Sequence, residues 1–270
     1  MPDVLILDSA TLFDARHVGQ VVITGSHGGV YPGYLAAKAG VLGVSFNDAG
    51  IGKDEAGVAS LPYLDQLGIP AVTVSHRSAC IADGVDIARR GVVSRVNASA
   101  AALGCRAGQS IAEAAESMSA ATLHPVKPPA YREARTCLRA EPGEPEVWGI
   151  DSAALMEPGD AGRIMVTGSH GALLAGKPDH IIKGPPLAAF FNDAGIGIDE
   201  AGVSRLPALD VLGVIGATVA ALSAQIGDSR SAWQTGVISR LNRLAREAGC
   251  SEGEPLREFV ERLAHLSGKR

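Results

Sequence analysis

The chain repeats itself. Thr24-Gly25-Ser26-His27-Gly28 returns as Thr167-Gly168-Ser169-His170-Gly171, and Phe46-Asn47-Asp48-Ala49-Gly50-Ile51-Gly52 returns as Phe191-Asn192-Asp193-Ala194-Gly195-Ile196-Gly197. The offset is 143 residues at the first motif (167 minus 24) and 145 at the second (192 minus 47), so one two-residue insertion accounts for the slip. A duplicated unit has to fold twice by the same rules, so whatever class one copy adopts, the other shares. The expected organisation is a first repeat over 1–123, a proline-rich crossover over 124–146 and a second repeat over 147–270.

Within each copy, short β-branched runs end in glycine-rich polar turns and are followed by segments with helical spacing. Val4 to Leu7, Val21 to Ile23, Val41 to Phe46 and Ile69 to Val74 read as strands, as do Val147 to Ile150, Ile164 to Val166, Leu187 to Phe191 and Val214 to Val219. Helices are expected over Pro32 to Gly40, Lys53 to Leu67, Asp86 to Leu103 and Ser110 to Met118 in the first copy. In the second they are expected over Asp199 to Leu212, Ala232 to Ala248 and Leu256 to Leu266. An insertion at Leu173 to Pro186 has no helical spacing. Prolines 125, 128, 129, 142 and 145 preclude a continuous helix between the copies, and one edge strand is expected near Arg135 to Leu138. Strands alternating with helices imply right-handed crossovers. The expected fold class is therefore three-layer α/β, with a mostly parallel sheet built from two tandem homologous halves related by a pseudo-twofold.

In such sheets ligands bind beyond the carboxyl ends of the strands, where all three polar motifs fall. His27 and His170 are the candidate acid–base groups. Asp48 and Asp193 are candidates to orient them or to bind substrate directly. Ser26, Gly28, Ser169 and Gly171 offer hydroxyls and free amides for an anionic group, with Asn47 and Asn192 beside them. A third motif, Ser78 to Asp83, matches Ser223 to Asp228, so Ser78, Asp83, Ser223 and Asp228 join the binding candidates. Cys80 is exchanged for Gln225 there, which argues against thiol chemistry common to both copies. His76, Arg77 and Lys53 have apolar counterparts (Ala221, Leu222 and Ile198), so the first copy is the more cationic, and His76 and Arg77 are candidate contacts for an anion. Asp54 and Asp199 read as acids favouring a helix N-terminus.

No cofactor is expected, since neither a phosphate-binding loop nor a dinucleotide fingerprint occurs. A divalent metal held by His27, Asp48 and Asp83, or by His170, Asp193 and Asp228, is the weaker alternative. A net charge of -5 leaves no nucleic-acid footprint, and 4% aromatic residues argue against base stacking. The uncharged run Val211 to Gly227 falls short of the roughly 20 residues of a membrane span. The acidic start and four cysteines without a C-x-x-C pair fit a cytoplasmic protein. The expected function is an enzyme, hydrolase or lyase, acting on a small polar or carboxylated metabolite, with a homo-oligomer possible. The alternatives are a non-catalytic small-molecule binding or regulatory protein whose two lobes clamp a ligand, and a scaffold whose glycine motifs only make turns.

Overall fold

The computed structural model describes residues 3–177, 182 and 184–268. Part of the 173–186 insertion and the first two residues lie outside that range. Each half carries its own sheet. In the first, β1 (Val4–Leu7), β2 (Val21–His27), β3 (Gly43–Asn47) and β4 (Ala71–Val74) pair in parallel and in sequence order, and β5 (Val93–Val96) closes the edge antiparallel to β4. In the second, β7 (Val147–Ile150), β8 (Ile164–His170), β9 (Ala188–Asn192) and β10 (Ile215–Val219) are parallel, with β11 (Ile238–Leu241) antiparallel at one edge. The crossover strand β6 (Arg135–Arg139) runs antiparallel on the other edge. The sheet is mostly parallel, as expected, but it is two sheets of the same order.

The alternation of side chains along the strands explains the layering. Val21 and Ile23 face one side of the first sheet and pack on α3 (Gly84–Arg90), α4 (Ala98–Ala102) and α5 (Ile111–Met118). Val22, Val44 and Phe46 face the other and pack on α1 (Val30–Ala39) and α2 (Ser60–Asp65). Period-2 patterning buried on both faces is what a covered parallel sheet requires. The second half repeats this with Phe190 against Phe259, supported by α7 (Ser229–Thr235), α8 (Arg243–Glu247) and α9 (Leu256–Ser267). On its opposite face Met165 and Phe191 pack on α6 (Leu206–Val211).

Four expected helices are broken, two in each half. The segment from Asp86 to Leu103 is α3, then β5, then α4, and its counterpart from Ala232 to Ala248 ends α7, passes through β11 and enters α8. Gly91 and Gly236 stop the first helix of each pair. The β-branched run that follows pairs with the neighbouring strand, and Asn97 and Asn242 cap the short helix beyond by accepting from Ala100 and Ala245 N–H. Lys53 to Leu67 likewise divides into a 3-10 segment and α2, because Asp54 and Glu55 lie at positive φ (52° and 56°). Asp199 and Glu200 do the same. None of these acids stands at an α-helix N-terminus.

The halves meet reciprocally. Lys53 N–H donates to Ala221 C=O at 2.8 Å, and Ile198 N–H donates to His76 C=O at 2.8 Å, two bonds related by the 145-residue offset. Gly50 and Gly195 face each other across the axis so closely that a Cβ on either would lie 2.8 Å from the Cα of the other. Ala49, Ile81 and Ala82 pack there against Ala194 and Ile226.

Candidate functional site

The first motif forms the end of a strand: β2 and β8 run on through His27 and His170. Most of its polar groups are used internally. Ser26 Oγ accepts from Ala10 N–H and Ser169 Oγ from Ala153 N–H, each at 2.8 Å, which ties the turn after the first strand of each half to the next strand. Gly28 and Gly171 are pressed against the carbonyls of Gly57 and Gly202, where a Cβ would approach to 2.5 and 2.7 Å. Asn47 and Asn192 are buried, each bridging Ala49 or Ala194 N–H to the carbonyl of Ala79 or Ala224. These six positions build the strand ends.

Asp48 does not orient His27. Its Oδ1 accepts from Gly50 N–H and His76 N–H and lies 2.7 Å from His76 Nδ1. Burial works to raise the Asp48 pKa, but the His76 hydrogen bonds outweigh it and hold it below the usual carboxylate range. Asp193 accepts from Gly195 and Ala221 N–H, and alanine at 221 leaves it without the imidazole. His76, Arg77 and Asp193 line a groove of about 390 Å³ beside Gly50 and Gly195. Ser78 and Ser223 brace the following edge strand, donating to Ser75 and Ala220 C=O while accepting from Val92 and Val237 N–H. Asp83 and Asp228 are N-caps of α3 and α7.

The two histidines do converge. Their ring centroids lie 6.5 Å apart, edge to face, at the junction of the halves. His27 Nδ1 accepts from Gly29 N–H at 3.1 Å and His170 Nδ1 from Ala172 N–H at 3.3 Å, so the neutral rings carry their proton on Nε2. Burial lowers the His27 pKa to about 4. Burial, with the nearby charges of Arg205 and His27, lowers that of His170 to about 3. Both are neutral imidazoles at neutral pH.

A cavity of about 400 Å³ opens at His27. Its wall is assembled from three parts of the chain: His27, Tyr31 and Asp54 from the first half, Tyr131 and Glu133 from the crossover, and Asp151, Gln225, Asp228 and Arg230 from the second. Asp151 is fixed by Ala134 N–H, Ser229 N–H and Ser229 Oγ–H, while Asp54 Oδ2 accepts from Gln225 Nε2 at 2.6 Å across the junction. Burial, and then the charge of Asp151, push the Glu133 carboxyl up to about 7. Of the sequence candidates, only His27 and Asp228 line this cavity. Tyr31, Tyr131, Glu133 and Asp151 lie outside the motifs, and the two crossover residues have no counterpart in the first copy.

The equivalent region around His170 is built differently. In place of α1, a short turn at Leu174–Gly176 follows the histidine, Leu174 packs into the cluster between the halves, and Ala175 N–H donates to Ala82 C=O. Asp199, the counterpart of Asp54, is bound by Arg90 at 2.6 Å, and Arg90 also contacts Asp86 and Cys80. Burial and the Asp86 charge raise the Cys80 thiol to about 11, far from the thiolate a nucleophile needs.

Among the described residues, no three His, Cys, Asp or Glu side chains are grouped as metal ligands. The trios of His27, Asp48 and Asp83 and of His170, Asp193 and Asp228 are therefore not assembled. No helix of the described residues is long and apolar enough to cross a membrane. In comparisons with known proteins, no family model, curated protein or solved structure matches this chain.

Proposed function

We propose that the cavity at His27 is an active site for acid–base chemistry on a small polar metabolite, of the hydrolase or lyase type. The observation that carries this reading is the contrast between two ionisable groups lining one cavity: a carboxyl raised to about 7 at Glu133 and an imidazole lowered to about 4 at His27. Environments that drive pKa values apart in this way divide the work of a site. Glu133, near half-protonated at neutral pH, is the proton-transfer group, since a catalytic pKa close to the working pH is the most effective. His27, with Nδ1 engaged by Gly29, presents Nε2–H as a neutral donor to oxygen that gains negative charge in the transition state. His170 stands edge to face with that ring at 6.5 Å, and burial keeps His27 uncharged.

Ser26, Gly28, Ser169 and Gly171 are instead occupied in the strand ends, His76 and Arg77 line a separate groove, and four carboxyls against one guanidinium line the cavity. The reading therefore keeps the reaction class and drops the preference for a carboxylated substrate. Carbon-13 titration of glutamate side chains tests it without a known substrate. One carboxyl with a midpoint near 7 is expected, and it should vanish in Glu133→Gln. Once a substrate is found among small polar metabolites, His27→Ala should lower kcat by about 10²-fold or more, and Glu133→Gln should remove the pH dependence near 7. Full turnover in both variants, or no glutamate titrating above pH 6, refutes the assignment.

A further inference from the structure

Only four tyrosines occur in the chain, and three of them stack together, two of them on this cavity's wall. The Tyr31 ring lies 6.0 Å from Tyr34 and 5.8 Å from Tyr131, with Tyr34 and Tyr131 6.3 Å apart; interplanar angles of 26° to 39° make a tilted stack. Tyr31 and Tyr131 belong to the cavity wall. Tyr131 comes from the crossover, about a hundred residues away in sequence, so the stack is made by the fold. Aromatic faces are electron-rich and attract cations, especially where water is excluded.

Two carboxylates of the same lining keep acceptor capacity. Asp228 uses Oδ1 for the Arg230 and Ser231 amides, and Asp54 uses Oδ2 for Gln225; their remaining oxygens have no donor among the described residues. Arg230 makes no ion pair with them among the described residues; its guanidinium is 3.5 Å from Thr136 Oγ1. The region around His170 serves as an internal control. There Leu174 stands at the position of Tyr31, and Arg90 holds the acid equivalent to Asp54. The acidic residues and the aromatic wall thus occur together at His27, whereas among the described residues around His170 the acid equivalent to Asp54 is paired with Arg90 and leucine replaces the tyrosine.

We propose that this cavity selects a small organic cation, an alkylammonium or guanidinium compound, whose charge faces Asp54, Glu133 and Asp228 while its carbon chain lies against Tyr31 and Tyr131. The inference rests on the reading of this cavity as the ligand site and adds the charge of the ligand. A volume of about 400 Å³ falls in the range of small-molecule sites.

The test compares probes of matched length by calorimetry at pH 8: 1,5-diaminopentane and agmatine as cations, 1,5-pentanediol as the neutral isostere and glutarate as the anion. The cations should bind at least about tenfold more tightly than the diol, a margin near 1.4 kcal/mol, and glutarate should not bind. Bound diamine should also shift the Glu133 midpoint below 7, because a cation favours the carboxylate. Glu133→Gln and Tyr131→Leu, both on the crossover and outside the two cores, should each weaken the diamine several-fold with unchanged far-UV circular dichroism. Diol or glutarate binding as well as the amines, or no amine binding at millimolar concentration, overturns the cation inference. The acid–base reading still stands in that event if a glutamate titrates near 7, and both fall if it does not.

Discussion

Replacing Gly50 with alanine places a methyl group where the backbone of the other half already lies. The Cβ would be 2.8 Å from Gly195 Cα and 3.1 Å from Gly195 N, atoms that cannot rotate away. Gly50 also sits at φ 75°, within a run in which Ala49 and Ile51 already hold positive φ. Two costs add: about 1–2 kcal/mol for the left-handed conformation and about 1–3 kcal/mol for forcing volume into a packed junction. The sum, about 2–5 kcal/mol, is a large part of the stability of an ordinary domain. Gly68→Ala separates the two, because Gly68 has a similar φ of 68° and nothing within 4 Å of its added Cβ. Urea unfolding followed by circular dichroism should give about 1–2 kcal/mol for Gly68→Ala and at least about 1 kcal/mol more for Gly50→Ala. Gly195→Ala, which meets Gly50 Cα at the same 2.8 Å and the His76 ring at 3.0 Å, should lose at least as much as Gly50→Ala. Equal losses in Gly50→Ala and Gly68→Ala would refute the close approach of the halves.

Because the folded-state pKa values of His27 and His170 lie below the ordinary 6.5, the unfolded chain binds more protons, and stability should fall as pH drops from about 6.5 toward 4. His27→Gln should reduce that fall by about 1–2 kcal/mol, allowing for partial contact of the ring with solvent; an unchanged pH profile would count against the desolvated imidazole. Glu133 has the opposite sign: its raised pKa contributes stability below about 4.5 that is lost as pH rises through 7, so Glu133→Gln should raise the Tm at pH 8 and not at pH 4. Asp160 is fully buried and takes hydrogen bonds from Arg135, Arg163 and Glu157 N–H beside the Trp148 ring, which both guanidiniums cover. Asp160→Asn should cost about 2–3 kcal/mol in denaturant unfolding, and a loss below about 0.5 kcal/mol would show that the cluster is only surface pairing.

The repeat made the fold class legible, because a β-branched run ending in glycine reads the same way in both copies, and the pseudo-twofold contacts at Gly50 and Gly195 fall on one of the repeated motifs. The edge strands β5 and β11 were hidden for a physical reason. Their apolar residues also satisfy helical spacing over a short window, and only the glycine stop before them and the asparagine cap after them mark the change. The pairing of His27 with His170 at the junction was legible, whereas the internal hydrogen bonds that occupy Ser26, Asn47 and Asp48 were not. Repetition selects for whatever both halves need, and both need strand ends and a shared junction. The cavity, in contrast, is where the halves differ: Tyr31 against Leu174, and Glu133 with no equivalent. The signal available was departure from the repeat, together with the concentration of tyrosine around an otherwise aromatic-poor chain's first motif.

The crossover has two duties. Its strand β6 completes the second sheet against β7, and the residues just before it, Tyr131 and Glu133, form part of the wall facing His27. A single protease cut on the amino side of Tyr131 would leave Tyr131 and Glu133 joined to the second half, whereas a cut between Glu133 and β6 would leave them joined to the first.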